Sequence, residues 1–434
     1  MVAKTKNEWA KLSASKMVES LLEKAIAAEA NFIHIEPSND AISVRFRVNG
    51  LLGEAIEIPK KRFISLVERF KTLANLDVRE RRIPQDGRFK TTVSNHAYSF
   101  NISVIPTVNG EKVTISIQDN EAELPSLINL GLWGNGLKAI QDVLKLKRGA
   151  AIITGPTDSG KSTTIYSILG NIDDGANIAT IEDPVEYKLP NANQTQVNEK
   201  ANLSFSIGLK VLVKHDTDVI MVSELRDNAT TKLFYETASR GRLVIGSLYI
   251  DNAPAAISLL ENLGTGPAQV AHLTKLITSQ RLVRRLCPSC REIYEPDRLA
   301  LIQIEELFSI NSPARMRALH KLELEFLSTL TKSPAKTSLN TTESKIKKLW
   351  RPHAGGCDKC SNTGYKGRVG IFEVMSISPA VQKLITGRGS TKVIQEQAIK
   401  DGMVTIQIDG LVKALTGITS IDEIIRFGLE DTVL

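Results

Sequence analysis

One stretch constrains this chain more than any other: Ala150-Ala151-Ile152-Ile153-Thr154, followed directly by Gly155-Pro156-Thr157-Asp158-Ser159-Gly160-Lys161-Ser162-Thr163. The short continuous apolar run is the kind buried on both faces inside a parallel sheet. The segment after it has the spacing G-x-x-x-x-G-K-S/T and leads into a helical pattern. Its glycines let backbone N–H groups turn inward around phosphate, Lys161 reaches the terminal phosphates, and Ser162 offers its hydroxyl to Mg2+. A helix opening near Lys161 points its positive end at the same anion. Gly155, Pro156, Thr157, Asp158, Ser159, Gly160, Lys161, Ser162 and Thr163 are therefore the candidate nucleotide-binding residues.

The surrounding texture agrees. Strand candidates at 178–181, 219–222 and 243–247 alternate with helical patterns, which implies a right-handed doubly wound α/β core. The run Asp218-Val219-Ile220-Met221-Val222-Ser223-Glu224 ends an apolar strand in a carboxylate. At a phosphate site Glu224 would polarise an attacking water or help hold the metal.

All four cysteines fall in two C-x-x-C pairs, Cys287/Cys290 and Cys357/Cys360. The N-terminus has no apolar signal region, so this pattern argues for a reducing cytoplasm and a tetrahedral structural Zn2+ in place of disulfides. The 66 residues from 291 to 356 separate the pairs, and 329–346 within them is Ser/Thr/Lys-rich and reads as a surface loop. No apolar run reaches the eighteen or so residues of a membrane span. The net charge of +7 is spread over 434 residues, so no nucleic-acid partner is expected. Its densest clusters, Arg79–Arg82 and Arg281–Arg285, read as solvated or inter-subunit faces.

The length suits two or three domains. After a tail at 1–16, residues 17–120 read as an α+β domain: a helix over 15–30, a hairpin of 32–35 with 41–48, a helix near 60–75, and strands at 97–105 and 112–118. Pro125, Gly131 and Gly134 mark 121–140 as a linker. The P-loop core then spans 141–286, the cysteine module with its long insertion 287–375, and a helical C-terminal domain 376–434.

Several motifs resemble one family. Asn31-Phe32-Ile33-His34-Ile35-Glu36-Pro37, Val44-Arg45-Phe46-Arg47-Val48-Asn49-Gly50 and Arg81-Arg82-Ile83-Pro84-Gln85-Asp86-Gly87-Arg88 are similar to the N-terminal domain of secretion ATPases. Pro106-Thr107 and Gly110-Glu111-Lys112-Val113 continue the likeness. Thr180-Ile181-Glu182-Asp183-Pro184-Val185-Glu186-Tyr187 resembles the family's acidic box, Glu224-Leu225-Arg226-Asp227 its Walker B region, and Gly364-Tyr365-Lys366-Gly367-Arg368 the end of its zinc module. The likeness runs in order from about residue 17 to 380.

Such proteins drive type II secretion and type IV pilus assembly as hexameric motors. The resemblance implies a RecA-like P-loop NTPase core preceded by a smaller α+β domain, with a tetra-Cys zinc module and a helical C-terminus. It implies ATP and Mg2+ at the P-loop, Glu224 and Glu186 as catalytic residues, and a homo-hexamer or a mixed ring with a paralogue. It also implies a polytopic inner-membrane platform partner and a cytoplasmic location at the inner face of that membrane. The extra N-terminal docking domain of longer members is not expected, because only about sixteen residues precede the matching helix.

The departures from the family cluster on catalysis. Asp158 stands where the family has glycine, and a carboxylate there would face the triphosphate with like charge. Ser223 replaces the Walker B glycine. Two arginines that the N-terminal domain gives to the nucleotide fall at Asn101 and Ser116, and two others appear as Lys210 and Lys214. The two histidines of the histidine box are Arg242 and Tyr249. One reading is a hydrolysis-deficient pseudo-ATPase beside an active motor. The other is an active enzyme in which Arg242 or another basic residue takes over the missing roles.

Overall fold

Two sheets built on different rules organise the chain. The computed structural model describes residues 6–119, 123–330, 339–340 and 345–426, which divide into units at 1–123 and 124–434. In the first unit, period-2 sequences form strands β1 (Ala30–Pro37), β2 (Ala41–Val48), β3 (Leu51–Leu52), β4 (Ile56–Pro59), β5 (Gln85–Val93), β6 (His96–Thr107) and β7 (Gly110–Asp119). They pair in the order β3-β2-β1-β7-β6-β5, with β4 also on β2. Helix Ala14–Ala27 turns Met17, Val18, Leu21, Leu22 and Ala25 inward, into one core with Ile33, Ile35, Phe70 and Phe100.

Strand β5 was not expected, because Asp86 and Gly87 carry poor strand propensity. Its glycine has a packing reason. A Cβ at Gly87 would stand 2.8 Å from Leu76 and 3.0 Å from the Ala74 carbonyl.

The second unit holds β8 (Gly149–Thr154), β9 (Ile178–Glu182), β10 (Ala192–Gln196), β11 (Val219–Val222), β12 (Leu243–Leu248), β13 (Thr274–Leu286), β14 (Glu292–Tyr294), β15 (Leu339–Asn340), β16 (Lys345–Ile346), β17 (Leu349–Arg351) and β18 (Tyr365–Ser376). The main sheet runs β10-β9-β11-β12-β8-β13-β18. It is parallel throughout except for β18, which pairs antiparallel to β13. Every residue of β8, β9, β11 and β12 is buried, as strands covered on both faces must be. The expected Ser/Thr/Lys-rich loop lies mostly outside the described residues.

Residues 124–140 are not a linker: helices Leu127–Leu130 and Gly134–Leu144 bury Leu127, Leu137, Ile140 and Val143 in one core with Ile153 of β8, Leu276 of β13 and Phe372 and Val374 of β18. The glycines that read as flexibility are helix punctuation, Gly131 being a left-handed C-cap at φ 107°. Of the basic run Arg281–Arg285, expected as a solvated or inter-subunit face, Arg285 is exposed while Arg281 and Arg284 are partly buried and paired. The run lies in β13, where Arg281 pairs with Asp251 at 2.9 Å and Arg284 with Glu423 at 2.6 Å.

The C-terminal helices do not pack as a separate layer. Val381, Ile385, Ile394 and Ala398 join the core beneath β11 and β12, while Leu411, Val412 and Leu415 pack with Val283 and Phe308. Buried Asp409 ties three elements together. It accepts from the Trp133 indole N–H, from Phe372 N at 2.8 Å, and from Lys413 Nζ at 2.5 Å. Burial pulls the Lys413 ammonium down, and Asp409 opposes this. Asp409→Leu is expected to destabilise the chain by about 3–5 kcal/mol in denaturant unfolding, since it leaves Lys413 buried and unpaired. Asp409→Leu/Lys413→Met should recover about half or more of that loss; a double variant no better than the single one would refute this account.

Candidate nucleotide site and cysteine cluster

The loop between β8 and helix Lys161–Leu169 is folded as a cradle. Gly155 and Gly160 take φ of 146° and 86°, and a Cβ at Gly155 would meet Ser159 Oγ at 2.5 Å and the Gln280 carbonyl at 2.6 Å. Pro156, Thr157 and Asp158 form its outer turn, while Ser159 is buried. From β13, Gln280 Nε2 donates to the Ser159 carbonyl at 2.8 Å and fixes the loop from beneath. Sequence reasoning missed Gln280; the signal was the polar run Thr278-Ser279-Gln280 directly after the apolar pair Leu276-Ile277, all of it buried. The Asp158 carboxylate, expected to face the phosphates unopposed, accepts from Arg368 Nη1 at 2.9 Å.

Acidic groups arrive from the carboxyl ends of neighbouring parallel strands, where ligands of open α/β sheets bind. Ser162 Oγ donates to Glu186 Oε1 at 2.9 Å, so the two expected metal-side residues meet. Glu186 is itself placed by a relay. Its backbone N–H donates to the Tyr166 hydroxyl at 3.1 Å, and that hydroxyl donates to buried Glu182. Glu182 also accepts from Thr180 Oγ1 and Gln194 Nε2; burial nevertheless holds its carboxyl above the usual range. Beyond β11, Glu224 accepts from Arg226 Nε at 2.6 Å, and Arg226 reaches Asp183 at 3.2 Å.

Lys161 closes the cradle. Its Nζ donates to the Gly155 and Pro156 carbonyls, both at 2.8 Å, and stands 4.0 Å from the Tyr249 ring centroid. A cation over an aromatic face is attracted by the ring's negative quadrupole, so the residue in place of a histidine here contacts the P-loop lysine. Arg242 behaves differently. It precedes β12 and donates to the Thr217 and Val213 carbonyls, at the end of the strand away from Tyr249. The expectation that Arg242 replaces a lost catalytic cation is therefore not met within this chain's own site. Lys210 and Lys214 lie toward that same end and border a cavity of about 420 Å³ with Lys232 and Arg240.

In the other unit, Asn101 and Ser116 occupy the same rung of the β6–β7 ladder. Arg88 lies opposite Asn101 on the other side. The two positions thus share one rung, with the Arg88 guanidinium on the neighbouring strand.

The long gap between cysteine pairs is closed by pairing of β13 with β18. Leu286 lies opposite Tyr365, and Cys287 N donates to the Gly364 carbonyl at 2.9 Å. Cys287 and Cys357 Sγ are 3.8 Å apart, Cys290 and Cys360 3.8 Å, and Cys357 and Cys360 3.7 Å. All four sulfurs lie within 4.8 Å of one another. Tetrahedral thiolates at about 2.3 Å from a zinc ion would be about 3.8 Å apart, so the donor set fits. Burial raises the Cys360 thiol, but N–H groups of Cys357 and Gly364 outweigh it and bring the thiol down to about 6.

Burial also pulls the Lys161 ammonium down to about 8; Glu224 and Glu186 oppose this and Arg281 adds to it. An added triphosphate would favour the charged form, so binding above pH 8 must take up a proton. The association constant for Mg-ATP is expected to be flat below pH 7.5 and to fall toward tenfold per unit above about 8.5. In Lys161→Arg, whose guanidinium stays charged, any remaining binding should lose that dependence. Calorimetry across pH 6.5–9.5 checks it, and a wild-type profile without a break near 8 would contradict the assignment.

The sequence profile of the Type II/IV secretion system protein family matches residues 9–426. Type II secretion system protein E of Klebsiella pneumoniae is 34% identical, covering 95% of this chain and 75% of that one. Type II secretion system ATPase E of Vibrio cholerae is 33% identical over 95% of this chain and 74% of its own. Type IV pilus assembly ATPase PilB of Thermus thermophilus is 34% identical over 96% of this chain but only 43% of its own. Among solved structures, the Legionella pneumophila ATPase DotB superposes with a TM-score of 0.62 at 16% identity, covering 95% of both chains. The pilus retraction motor PilT with bound ADP gives 0.58 at 19%, covering 96% and 98%. With one profile spanning nearly its whole length and relatives at one-third identity, the chain belongs to the type II/IV secretion system protein family.

Proposed function

We propose that this chain binds Mg-ATP at the 155–163 loop and serves as a motor subunit for type II secretion or type IV pilus assembly. The hydrogen bond from Ser162 to Glu186, beside Lys161, carries the reading, because it brings a metal-type oxygen pair to a phosphate cradle. In this reading Lys161 exchanges its two loop carbonyls for the terminal phosphates. Ser162 and Glu186 would hold Mg2+, which when bound neutralises charge on the β- and γ-phosphates. Glu224 orients the attacking water with its oxygen not taken by Arg226. The four cysteines would hold a structural Zn2+.

The family further supports a ring, either a homo-hexamer or mixed with a paralogue, acting on a polytopic inner-membrane platform protein from the cytoplasmic side. No helix among the described residues is long and apolar enough to cross a membrane, which agrees with peripheral attachment.

A second reading has its own support. Asn101 and Ser116 lack cations at one rung, which favours a hydrolysis-deficient subunit that binds ATP and works beside an active motor. Arg88 on the adjacent strand favours turnover.

Equilibrium binding of Mg-ATP to the full chain, with Lys161→Ala as control, tests the common part; equal binding by both would remove the loop from the site. Turnover by the wild type, lost in Glu224→Gln, selects the motor with Glu224 in its role. Binding without turnover in the assembled ring selects the second reading. For the metal, purified protein is expected to carry about one zinc per chain, lost in Cys287→Ser/Cys357→Ser. Folded, metal-free wild type would refute the zinc module.

A further inference from the structure

We propose that Arg368 is a positioning residue for nucleotide binding: its guanidinium engages the Asp158 carboxylate and so keeps the 155–160 loop open to a triphosphate. This rests on the reading of that loop as the ATP site.

Asp158 adopts φ 61°, the left-handed region that glycine enters freely and that Asp tolerates better than most residues. The cradle therefore keeps a glycine-like turn while carrying a side chain. That side chain is an anion beside N–H groups arranged to receive anions. Left unpaired, it would either turn into the cradle as an internal competitor or oppose an incoming phosphate by like-charge repulsion.

Arg368 prevents both. Its Nη1 donates to Asp158 Oδ2 at 2.9 Å, with side-chain exposures of 19% for the arginine and 37% for the aspartate. The arginine is held on β18, hydrogen-bonded along its length to β13, and β13 also supports the loop through Gln280. The ion pair thus spans two elements that already frame the cradle, at little further loss of freedom.

There is also a reason for Arg368 to need an anion. It lies directly opposite Arg284 in the β13–β18 ladder, and like charges on one rung destabilise a sheet. Arg284 is engaged by Glu423 at 2.6 Å and lies over the Tyr365 ring at 3.9 Å. Asp158 supplies the corresponding partner for Arg368.

The test is a double-mutant cycle on Mg-ATP affinity, using the full chain with wild type, Arg368→Gln, Asp158→Asn and Asp158→Asn/Arg368→Gln. Asp158→Asn removes the charge but keeps size and tolerance of the left-handed turn; Asp158→Gly is run beside it. Arg368→Gln is expected to raise the Kd about tenfold in the wild-type background and less than about threefold once Asp158 is neutral. Thermal melts of each variant confirm that the fold is kept, and raising the salt concentration should shrink the loss in Arg368→Gln.

An equal loss in both backgrounds would overturn the proposal and make Arg368 a direct ligand or a structural residue. So would an Arg368→Gln protein that binds like wild type. A wild type that does not bind, beside an Asp158→Gly protein that does, would show that the pair fails to neutralise Asp158. Absence of binding in every variant, Asp158→Gly included, overturns this proposal and the ATP reading together.

Discussion

The antiparallel pairing of β13 with β18 is the constraint on which the second unit depends. β13 is hydrogen-bonded to β8 along its first part, so it lies under the phosphate loop, and Gln280 reaches up to the Ser159 carbonyl. The same strand runs on past β8 into Cys287. β18 returns beside it, bringing Arg368 to Asp158 and Glu373 to the Ala253 amide. At its start it closes the cysteine cluster, and in its middle Phe372 donates to Asp409. One ladder thus couples the nucleotide loop, the candidate zinc site and the C-terminal helices, because a rigid strand pair fixes the register of everything attached to it.

Seen from that ladder, two side chains of the second unit's loop region owe their setting to partners within the chain. Asp158 and Tyr249 each found a partner: Arg368 for the first, the Lys161 ammonium for the second. Their charge or π-face is engaged within the chain, and the loop keeps its turn with both in place. Asn101 and Ser116 are different. They lie in the first unit, on one rung of its sheet, with Arg88 on the strand beside Asn101. In the proposed function, the choice between a motor and a hydrolysis-deficient subunit turns on groups that would stabilise charge during phosphoryl transfer, more than on the 155–163 loop.

Much of the fold was legible because it rests on local rules. The hairpin of β1 and β2, the strands β6 and β7, and the four central parallel strands follow periodicity and burial. The misreadings share a cause. Gly131 and Gly134 signalled a break in periodicity, but the same residue type serves a flexible linker and a tight helix cap, and only the packing of Leu137 and Ile140 distinguishes them. Likewise Arg281–Arg285 counted as surface charge because composition carries no information about Asp251 or Glu423, the second of which is distant in sequence.

By itself the sequence determined the glycine-rich loop at 155–163, the two separate C-x-x-C pairs and the α/β class, since each depends on residues near one another along the chain. The tertiary structure alone decided which partner each charged group meets. It placed Glu186 on Ser162, Arg368 on Asp158, Arg242 away from the phosphate loop, and Cys287 beside Cys357 across 70 residues. Those pairings are set by strand order and register, which follow from burying whole faces at once, and no local pattern encodes them.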